Sequence, residues 1–226
     1  MIKAVIFDLD GTLADSLESI AYCTNTVLQG LGFAPIEKNA FRYLVGDGAA
    51  KLVERALQRS GDEELTLFDR AFSEYTAVFE KYCMYQVKPY PGIVETLRAL
   101  REAGIRTAVL SNKPHAQTQD VICSLFGKEA FDVVMGQRPG IERKPSPAGV
   151  FAILEELGLG KEEALYLGDT NTDMLTGKRA GLFTVGVLWG FRDREELEAY
   201  QADALIEKPM EVMEYVSGSK ELRNSI

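Results

Sequence analysis

The sequence KAVIFDLDGT, residues 3–12, decides how the rest of the chain is interpreted. Residues 4–7 are continuously apolar, which is typical of a short strand buried on both faces, since half-buried strands alternate apolar and polar residues. Asp8 and Asp10 follow at the carboxyl end of this strand, and a turn-forming Gly-Thr pair comes next. The stretch therefore predicts a buried parallel strand that delivers two carboxylates into a crevice at the edge of a sheet.

Two carboxylates so close together need a source of positive charge. Without a cation, their repulsion would keep one acid protonated, so a divalent metal, alone or with a phosphate, is the natural neutraliser. The alternative is that Asp8 and Asp10 only cap a turn after the strand, which is what an isolated Asp-x-Asp usually does. The polar segments later in the chain bear on this choice.

Length, composition and charge are those of an ordinary globular protein. The chain has 226 residues, 46% hydrophobic and 26% charged, enough for one large or two modest domains. Its formal net charge of −9 argues against nucleic acid or an anionic membrane as a partner. Cys23, Cys83 and Cys123 lack metal-ligand spacing and are expected to be buried free thiols. Without a signal-peptide pattern or a membrane-spanning apolar run, we expect a cytoplasmic protein.

Residues 16–88 are predicted to contain helices and no strands. Their apolar residues recur every three or four positions in three successive stripes. About a hundred residues separate the first strand from the next, far more than an ordinary crossover contains. We therefore predict an inserted helical domain, residues 16–88, within a core formed by residues 1–15 and 89–226.

From residue 89 onward, short apolar strands alternate with helices. The predicted strands are residues 107–110, 131–135, 164–167, 184–188 and 204–206. With the first strand they predict an α/β fold, a doubly wound and mainly parallel Rossmann-like sheet with an inserted all-helical domain. Its ligand site is expected beyond the carboxyl ends of the strands. Residues 217–226 are expected to form a frayed polar tail.

Two further segments are candidates for holding an anion at that edge. SNKP, residues 111–114, places Ser111 and Asn112 after a strand and a proline where the next helix is expected, so N–H groups at the helix start could hold an anion. Lys144 lies in RKPSP, where two prolines stiffen the loop around it. Simpler interpretations stay open, since Ser-Asn before proline is a common turn and most lysines are solvated.

The segment GDTNTD, residues 168–173, adds a second pair of acids at a strand end. Asp169 and Asp173 are four residues apart, a spacing that places both on one face if a helix begins there. Acids at a helix start can also serve only to complement the helix dipole. Together with Asp8 and Asp10, however, four carboxylates from two strand ends indicate a hard divalent cation, for which Mg²⁺ is the first choice.

In their order along the chain, these four segments resemble the motifs of phosphatases in the haloacid dehalogenase superfamily. The resemblance implies that Asp8 is the nucleophile that accepts the phosphoryl group. It implies that Asp10 is the acid and base that protonates the leaving alcohol and later activates water. The chain has a single histidine, His115, and no GxxxxGK[ST] loop. Neither a phosphohistidine mechanism nor nucleotide hydrolysis by such a loop is therefore expected.

The same resemblance implies a cofactor and its ligands. Mg²⁺ is expected to be bound by Asp8, by the backbone carbonyl of Asp10 and by Asp169, with Asp173 supporting these metal ligands. The residues expected to hold the phosphoryl oxygens are Ser111, the Asn112 backbone and Lys144. These assignments agree with the needs of phosphoryl transfer, which are chiefly positioning and charge neutralisation.

The helical insertion resembles the cap that closes over small substrates in this superfamily. VGDG, residues 45–48, together with SNKP and KPYPG, resembles the phosphoglycolate phosphatase subgroup. This makes Gly46, Asp47 and Gly48 candidates for substrate specificity. The alternative is that VGDG is only a turn that begins the next helix.

The sequence thus predicts a Mg²⁺-dependent phosphomonoesterase that forms a phosphoaspartate and acts on a small phosphorylated metabolite, with 2-phosphoglycolate as the first candidate. The open alternatives within the superfamily are a pyrophosphatase, a sugar-phosphate or nucleotide phosphatase, and a phosphosugar mutase. A catalytically silent binding module is the alternative from another class. Either a monomer or a homodimer is compatible with the sequence.

Overall fold

The structure, a computed structural model, describes residues 1–218 and divides into two compact units. One unit comprises Met1–Ala14 and the chain from Pro89 onward, and the other comprises Asp15–Lys88. Of the predicted polar tail, residues 219–226 lie outside the described residues. Ser217, at the start of that segment, still donates a backbone hydrogen bond to the carbonyl of Met213 at 3.0 Å.

The strands of the described chain form one large and one small sheet. They are β1 (Ala4–Phe7), β2 (Ala14–Asp15), β3 (Lys88–Pro89), β4 (Arg106–Pro114), β5 (Val133–Gln137), β6 (Ala164–Gly168), β7 (Phe183–Val187) and β8 (Ala204–Ile206). The large sheet has six strands in the order β5-β4-β1-β6-β7-β8, and its neighbouring strands are parallel. The two-residue strands β2 and β3 form the small sheet. The predicted doubly wound, mainly parallel α/β fold is confirmed.

Helices occupy most of the remaining chain. Those of the second unit are α1 (Leu17–Gly30), α2 (Ala49–Ser60) and α3 (Phe68–Tyr82), with a 3-10 helix at Lys38–Tyr43. Those of the first unit are α4 (Ile93–Glu102), α5 (His115–Phe126), α6 (Ala148–Leu157), α7 (Asn171–Ala180), α8 (Arg194–Ala199) and α9 (Val212–Val216), with 3-10 turns at Lys161–Glu163 and Pro209–Glu211. In the second unit α1 packs against α2 and α3, so the apolar stripes of these helices share one core.

Strand β1 lies in the interior of the large sheet, and all four of its residues are buried. The chain adds β4 and β5 on one side of β1 and then crosses to add β6, β7 and β8 on the other side. This reversal opens a crevice beyond the carboxyl ends of β1, β4 and β6. The acidic stretch that follows β1 lies at that edge because the register pairs Phe7 with Val109 and Leu167.

One boundary differs from the sequence prediction in a way that matters for the site. The strand predicted at residues 107–110 continues to Pro114, so SNKP lies within β4 and is not the turn that its composition indicated. The register shifts between Leu110 and Pro114, and Pro114 pairs with Gln137 of β5. Neighbouring backbone therefore keeps these polar residues extended, which local turn propensity could not reveal.

The structure also bears on the predictions about the cysteines and about membrane-spanning segments. None of the three cysteines forms a disulfide; Cys23 and Cys83 are buried as expected, whereas Cys123 is partly exposed. Among the described residues, none of the helices has the length and apolar character needed to cross a membrane.

Candidate active site

Asp8 begins the candidate site directly after β1. The residue is buried, and its backbone N–H donates to the carbonyl of Leu167 at 2.9 Å, which extends the pairing of β1 with β6 by one residue. Its carboxylate oxygen Oδ1 accepts a hydrogen bond from Nζ of Lys144 at 2.7 Å. The same Nζ donates to Oδ1 of Asp173 at 2.7 Å. Lys144 is only 4% exposed, so the alternative of a solvated loop lysine is wrong.

Three buried carboxylates meet at this point. Oxygen atoms of Asp8, Asp169 and Asp173 all lie within 4.8 Å of one another, close enough to hold one metal ion together. Within the cluster Lys144 supplies one positive charge against three potential negative charges. A hard divalent cation would offset the remainder, and carboxylate oxygens are the ligands that Mg²⁺ prefers. The donor set therefore fits Mg²⁺.

The acidity of these groups reflects the excess negative charge. Burial and the charge of Asp173 raise the pKa of Asp8 well above its ordinary value, and the Lys144 ammonium only partly opposes the rise. Burial and Asp173 also raise the pKa of Asp169, to about 7. For Lys144, burial lowers the pKa, but the charges of Asp173 and Asp8 outweigh burial and leave the pKa well above its ordinary value. The cluster is a poor place for anions unless a further cation is present.

Asp169 is held between two glycines. Its Oδ1 accepts a hydrogen bond from the Thr12 hydroxyl at 3.0 Å, and its Oδ2 accepts one from the backbone N–H of Phe191 at 2.8 Å. A Cβ atom at Gly11 would lie 2.1 Å from Oδ2 of Asp169, and one at Gly190 would lie 2.2 Å from its Cβ. These two positions have no room for a side chain, so glycine is what lets backbone approach the carboxylate.

Asp173 lies in the first turn of α7 and is the most extensively hydrogen-bonded acid of the site. Its Oδ1 accepts bonds from Lys144 and from the Tyr166 hydroxyl at 3.1 Å, and its Oδ2 accepts bonds from the backbone N–H and the hydroxyl of Thr170 at 3.1 and 2.7 Å. Thr170 caps α7, so Asp169 precedes the helix and the predicted shared helical face does not exist. The two acids meet instead because the chain turns sharply, which Gly168 permits: a Cβ there would lie 2.2 Å from that of Asp173.

Asp10 pairs with a residue that the sequence analysis overlooked. Nζ of Lys113 donates to its Oδ1 at 2.7 Å, and the Lys113 side chain is only 3% exposed. Two lysines of the motif segments, Lys113 and Lys144, therefore pair with acids of the site. The position of Lys113 in SNKP could have indicated this pair. A lysine between strand residues and a helix start must either extend into solvent or pair with an acid.

The predicted phosphate-binding residues lie together, with specific partners. The Ser111 hydroxyl is buried and accepts a hydrogen bond from the backbone N–H of Lys113 at 3.1 Å. The Asn112 side chain bonds both backbone groups of Lys144: its Nδ2 donates to the carbonyl at 3.1 Å and its Oδ1 accepts from the N–H at 2.9 Å. Asn112 thus fixes the backbone from which Lys144 extends toward Asp8.

VGDG in the second unit has the geometry of a helix-starting turn. Gly46 and Gly48 have φ values of 119° and 90°, which favour glycine, and Gly48 is the residue that caps α2. Asp47 accepts a hydrogen bond from the Arg55 guanidinium at 2.5 Å. The turn interpretation therefore accounts for the local structure, and a role in substrate specificity stays a prediction.

Comparison with known proteins identifies the family. The sequence profile of the haloacid dehalogenase-like hydrolases matches residues 5–187, which is most of the chain and contains the acids and lysines of the candidate site. The chain belongs to this family. Among other family members, it is 36% identical over 193 residues to a phosphoglycolate phosphatase of Aquifex aeolicus, covering 84% of this chain and 86% of that protein. A phosphoglycolate phosphatase of Neisseria meningitidis serogroup A is 31% identical over 224 residues, covering 97% and 95%.

Several crystal structures have a similar fold. One is a protein of Lactobacillus delbrueckii subsp. bulgaricus with a proposed phosphoglycolate phosphatase assignment, at a TM-score of 0.89 and 26% identity, covering 95% of this chain and 98% of that one. Another is CbbY of Rhodobacter sphaeroides, crystallised with phosphate, at a TM-score of 0.74 and 26% identity, covering 94% and 96%. These similarities extend over nearly the whole chain.

Proposed function

We propose that this protein is a Mg²⁺-dependent phosphomonoesterase that hydrolyses a small phosphorylated metabolite, with 2-phosphoglycolate as the physiological substrate. The observation that carries the proposal is the buried carboxylate cluster in which Lys144 donates to both Asp8 and Asp173 at 2.7 Å. A binding module without catalysis has no use for three buried acids that repel one another. The names of the family members described above support the choice of substrate.

In the first displacement, Asp8 acts as the nucleophile. A carboxylate oxygen of Asp8 forms a bond to phosphorus while the bond from phosphorus to the alcohol oxygen breaks, and Asp10 gives its proton to that oxygen. Lys144, Ser111 and the Asn112 backbone hold the phosphoryl oxygens and offset their charge. Lys144 also fixes one oxygen of Asp8, which leaves the other to attack.

In the second displacement, Asp10 acts as the base. It takes a proton from water as the water oxygen attacks phosphorus, and the bond from phosphorus to Asp8 breaks with its electron pair returning to the carboxylate. Mg²⁺, when bound by the cluster, supplies positive charge that offsets the transferring phosphoryl group. We assign ligation to Asp8, Asp169 and the Asp10 carbonyl, and a supporting role to Asp173, because four donors already bind its two oxygens.

A direct assay tests the proposal. Phosphate release is measured from 2-phosphoglycolate, glycerol 3-phosphate, a sugar phosphate, pyrophosphate and p-nitrophenyl phosphate, with Mg²⁺ and after treatment with EDTA. We expect Mg²⁺-dependent turnover with the highest kcat/KM for 2-phosphoglycolate. A higher kcat/KM for another ester would transfer the assignment to that substrate, and a failure of all of them to release phosphate would refute the proposed phosphatase.

We propose that Gly46, Asp47 and Gly48 of the helical unit determine which leaving group the enzyme accepts. Gly48→Ala is expected to lower kcat/KM for 2-phosphoglycolate by about tenfold, because a side chain obstructs a small carboxylate, while p-nitrophenyl phosphate hydrolysis stays within about twofold. Gly61→Ala is the matched control, since Gly61 ends the same helix α2 with a similar φ of 106°. Equal losses for both substrates, or equal effects of both variants, would contradict a specificity role.

Partners and location complete the proposal. We assign a small phosphorylated metabolite as the ligand and neither nucleic acid nor a membrane as a partner, in agreement with the formal charge of −9. We assign the cytoplasm as the location, in agreement with cysteines that form no disulfide. Light scattering on the purified protein distinguishes the monomer from the homodimer.

A further inference from the structure

Lys113 is a second buried lysine at the candidate site. It lies near the end of β4, and its side chain is 3% exposed, as is that of Lys144. An ammonium group in such a place loses its hydration and stays charged only if acids or other acceptors replace the water. Its Nζ lies 2.7 Å from Oδ1 of Asp10. The two lysines therefore pair with different acids, Lys144 with Asp8 and Asp173, and Lys113 with Asp10.

The backbone of Lys113 is fixed at both ends. Its N–H donates to the Ser111 hydroxyl at 3.1 Å, and its carbonyl accepts a hydrogen bond from the Thr118 hydroxyl at 3.2 Å. A Cβ atom at Gly136 of β5 would lie 2.8 Å from this carbonyl, so the neighbouring strand packs closely against the same backbone. The ammonium is thus carried by a rigid part of the sheet.

Asp10, in contrast, lies in the turn after β1. Its side chain is 18% exposed, and the ion pair with Lys113 occupies Oδ1. Among the described residues, no hydrogen bond to Oδ2 is formed, so this is the oxygen left for proton exchange. Without Lys113, a short side chain on a turn would sample several rotamers, and proton transfer requires the carboxyl oxygen within hydrogen-bond reach of the reacting atom.

We propose that Lys113 is the positioning residue of Asp10: the ion pair holds one carboxylate oxygen so that the other faces the leaving group and the attacking water. This inference rests on the proposed function. Lys113 acts through Asp10 and not on the phosphoryl group, which is the task assigned to Lys144. Its loss is therefore expected to matter in proportion to how much the leaving group needs a proton.

The test compares leaving groups in a Lys113→Met variant. An alcohol needs protonation as it leaves, whereas p-nitrophenolate leaves without it, and kcat/KM reports the first displacement alone. We expect kcat/KM to fall about 10- to 100-fold for 2-phosphoglycolate and glycerol 3-phosphate, and to stay within about threefold for p-nitrophenyl phosphate. In an Asp10→Asn background, Lys113→Met is expected to cause no further loss for the alkyl phosphates.

Other outcomes would overturn either the positioning role or the proposed function. Equal losses for alkyl and aryl phosphates, or a further loss in the Asp10→Asn background, would overturn the positioning role. A loss confined to 2-phosphoglycolate would also overturn it and indicate direct binding of the substrate carboxylate. Lys178→Met is the matched control, because Lys178 pairs with the buried carboxylate of Asp203 and is expected to leave the ratio of alkyl to aryl hydrolysis unchanged. An inactive wild-type enzyme would instead refute the proposed function.

Discussion

Asp8→Asn is expected to lower kcat for 2-phosphoglycolate by about 10⁴-fold or more, because an amide cannot serve as the nucleophile and supplies no charge to a metal. The fold is expected to remain. Burial and the charges of Asp173 and Asp169 raise the pKa of Asp8, which means that the folded protein favours a neutral group at this position. In EDTA at neutral pH, the variant is therefore expected to have a Tm no lower than that of the wild-type protein.

Asp203→Asn is the matched control for this prediction. Asp203 also pairs with a lysine, its side chain is only 3% exposed, and its carboxylate accepts a hydrogen bond from the backbone N–H of Thr184 at 2.8 Å. We expect this variant to retain wild-type kcat. Steady-state phosphate release and thermal unfolding followed by circular dichroism measure both quantities. More than a small residual rate in Asp8→Asn would refute the nucleophile assignment.

Lys144→Met is expected to lower kcat by about 10²- to 10³-fold, since the buried ammonium both holds Asp8 and offsets charge on the phosphoryl group. It is also expected to lower the free energy of unfolding by about 3–5 kcal/mol, because the buried carboxylates of Asp8 and Asp173 lose their shared partner. Added Mg²⁺ is expected to recover part of this stability by supplying the missing charge.

A charge-balanced variant separates the two effects. Lys144→Met combined with Asp173→Asn removes one positive and one negative charge, so it is expected to recover stability but not kcat. Chemical denaturation and phosphate release are measured on the single and double variants. Wild-type kinetics in Lys144→Met would return Lys144 to a purely structural role.

The sequence was informative about features that a repeating apolar pattern or a single short motif encodes. Alternating apolar strands and helices predicted the parallel sheet, and its β8 has the predicted bounds, Ala204–Ile206. The order of the acidic and basic segments led to the family. The ends of the strands were predicted less accurately. SNKP has the composition of a turn but lies in β4, where pairing with β5 keeps it extended.

Two features of the site followed from long-range contacts, and a third from a turn, none of which the sequence patterns encode. Lys113 and Asp10 are 103 positions apart in sequence, and only the parallel register of β1 and β4 brings them together. Asn112 meets the backbone of Lys144 across 32 positions. Asp169 and Asp173 share the site because Gly168 lets the chain turn sharply, not because they share a helix face.

The sequence by itself determined the fold class, the family and the acids and the lysine of the carboxylate cluster, because strand periodicity and the residues that end each strand are local properties. Only the tertiary structure decided which lysine pairs with which acid and which oxygen of each carboxylate is already occupied. The physical reason is that burial and pairing set these electrostatic energies, and both depend on neighbours that the sheet brings together from distant parts of the chain.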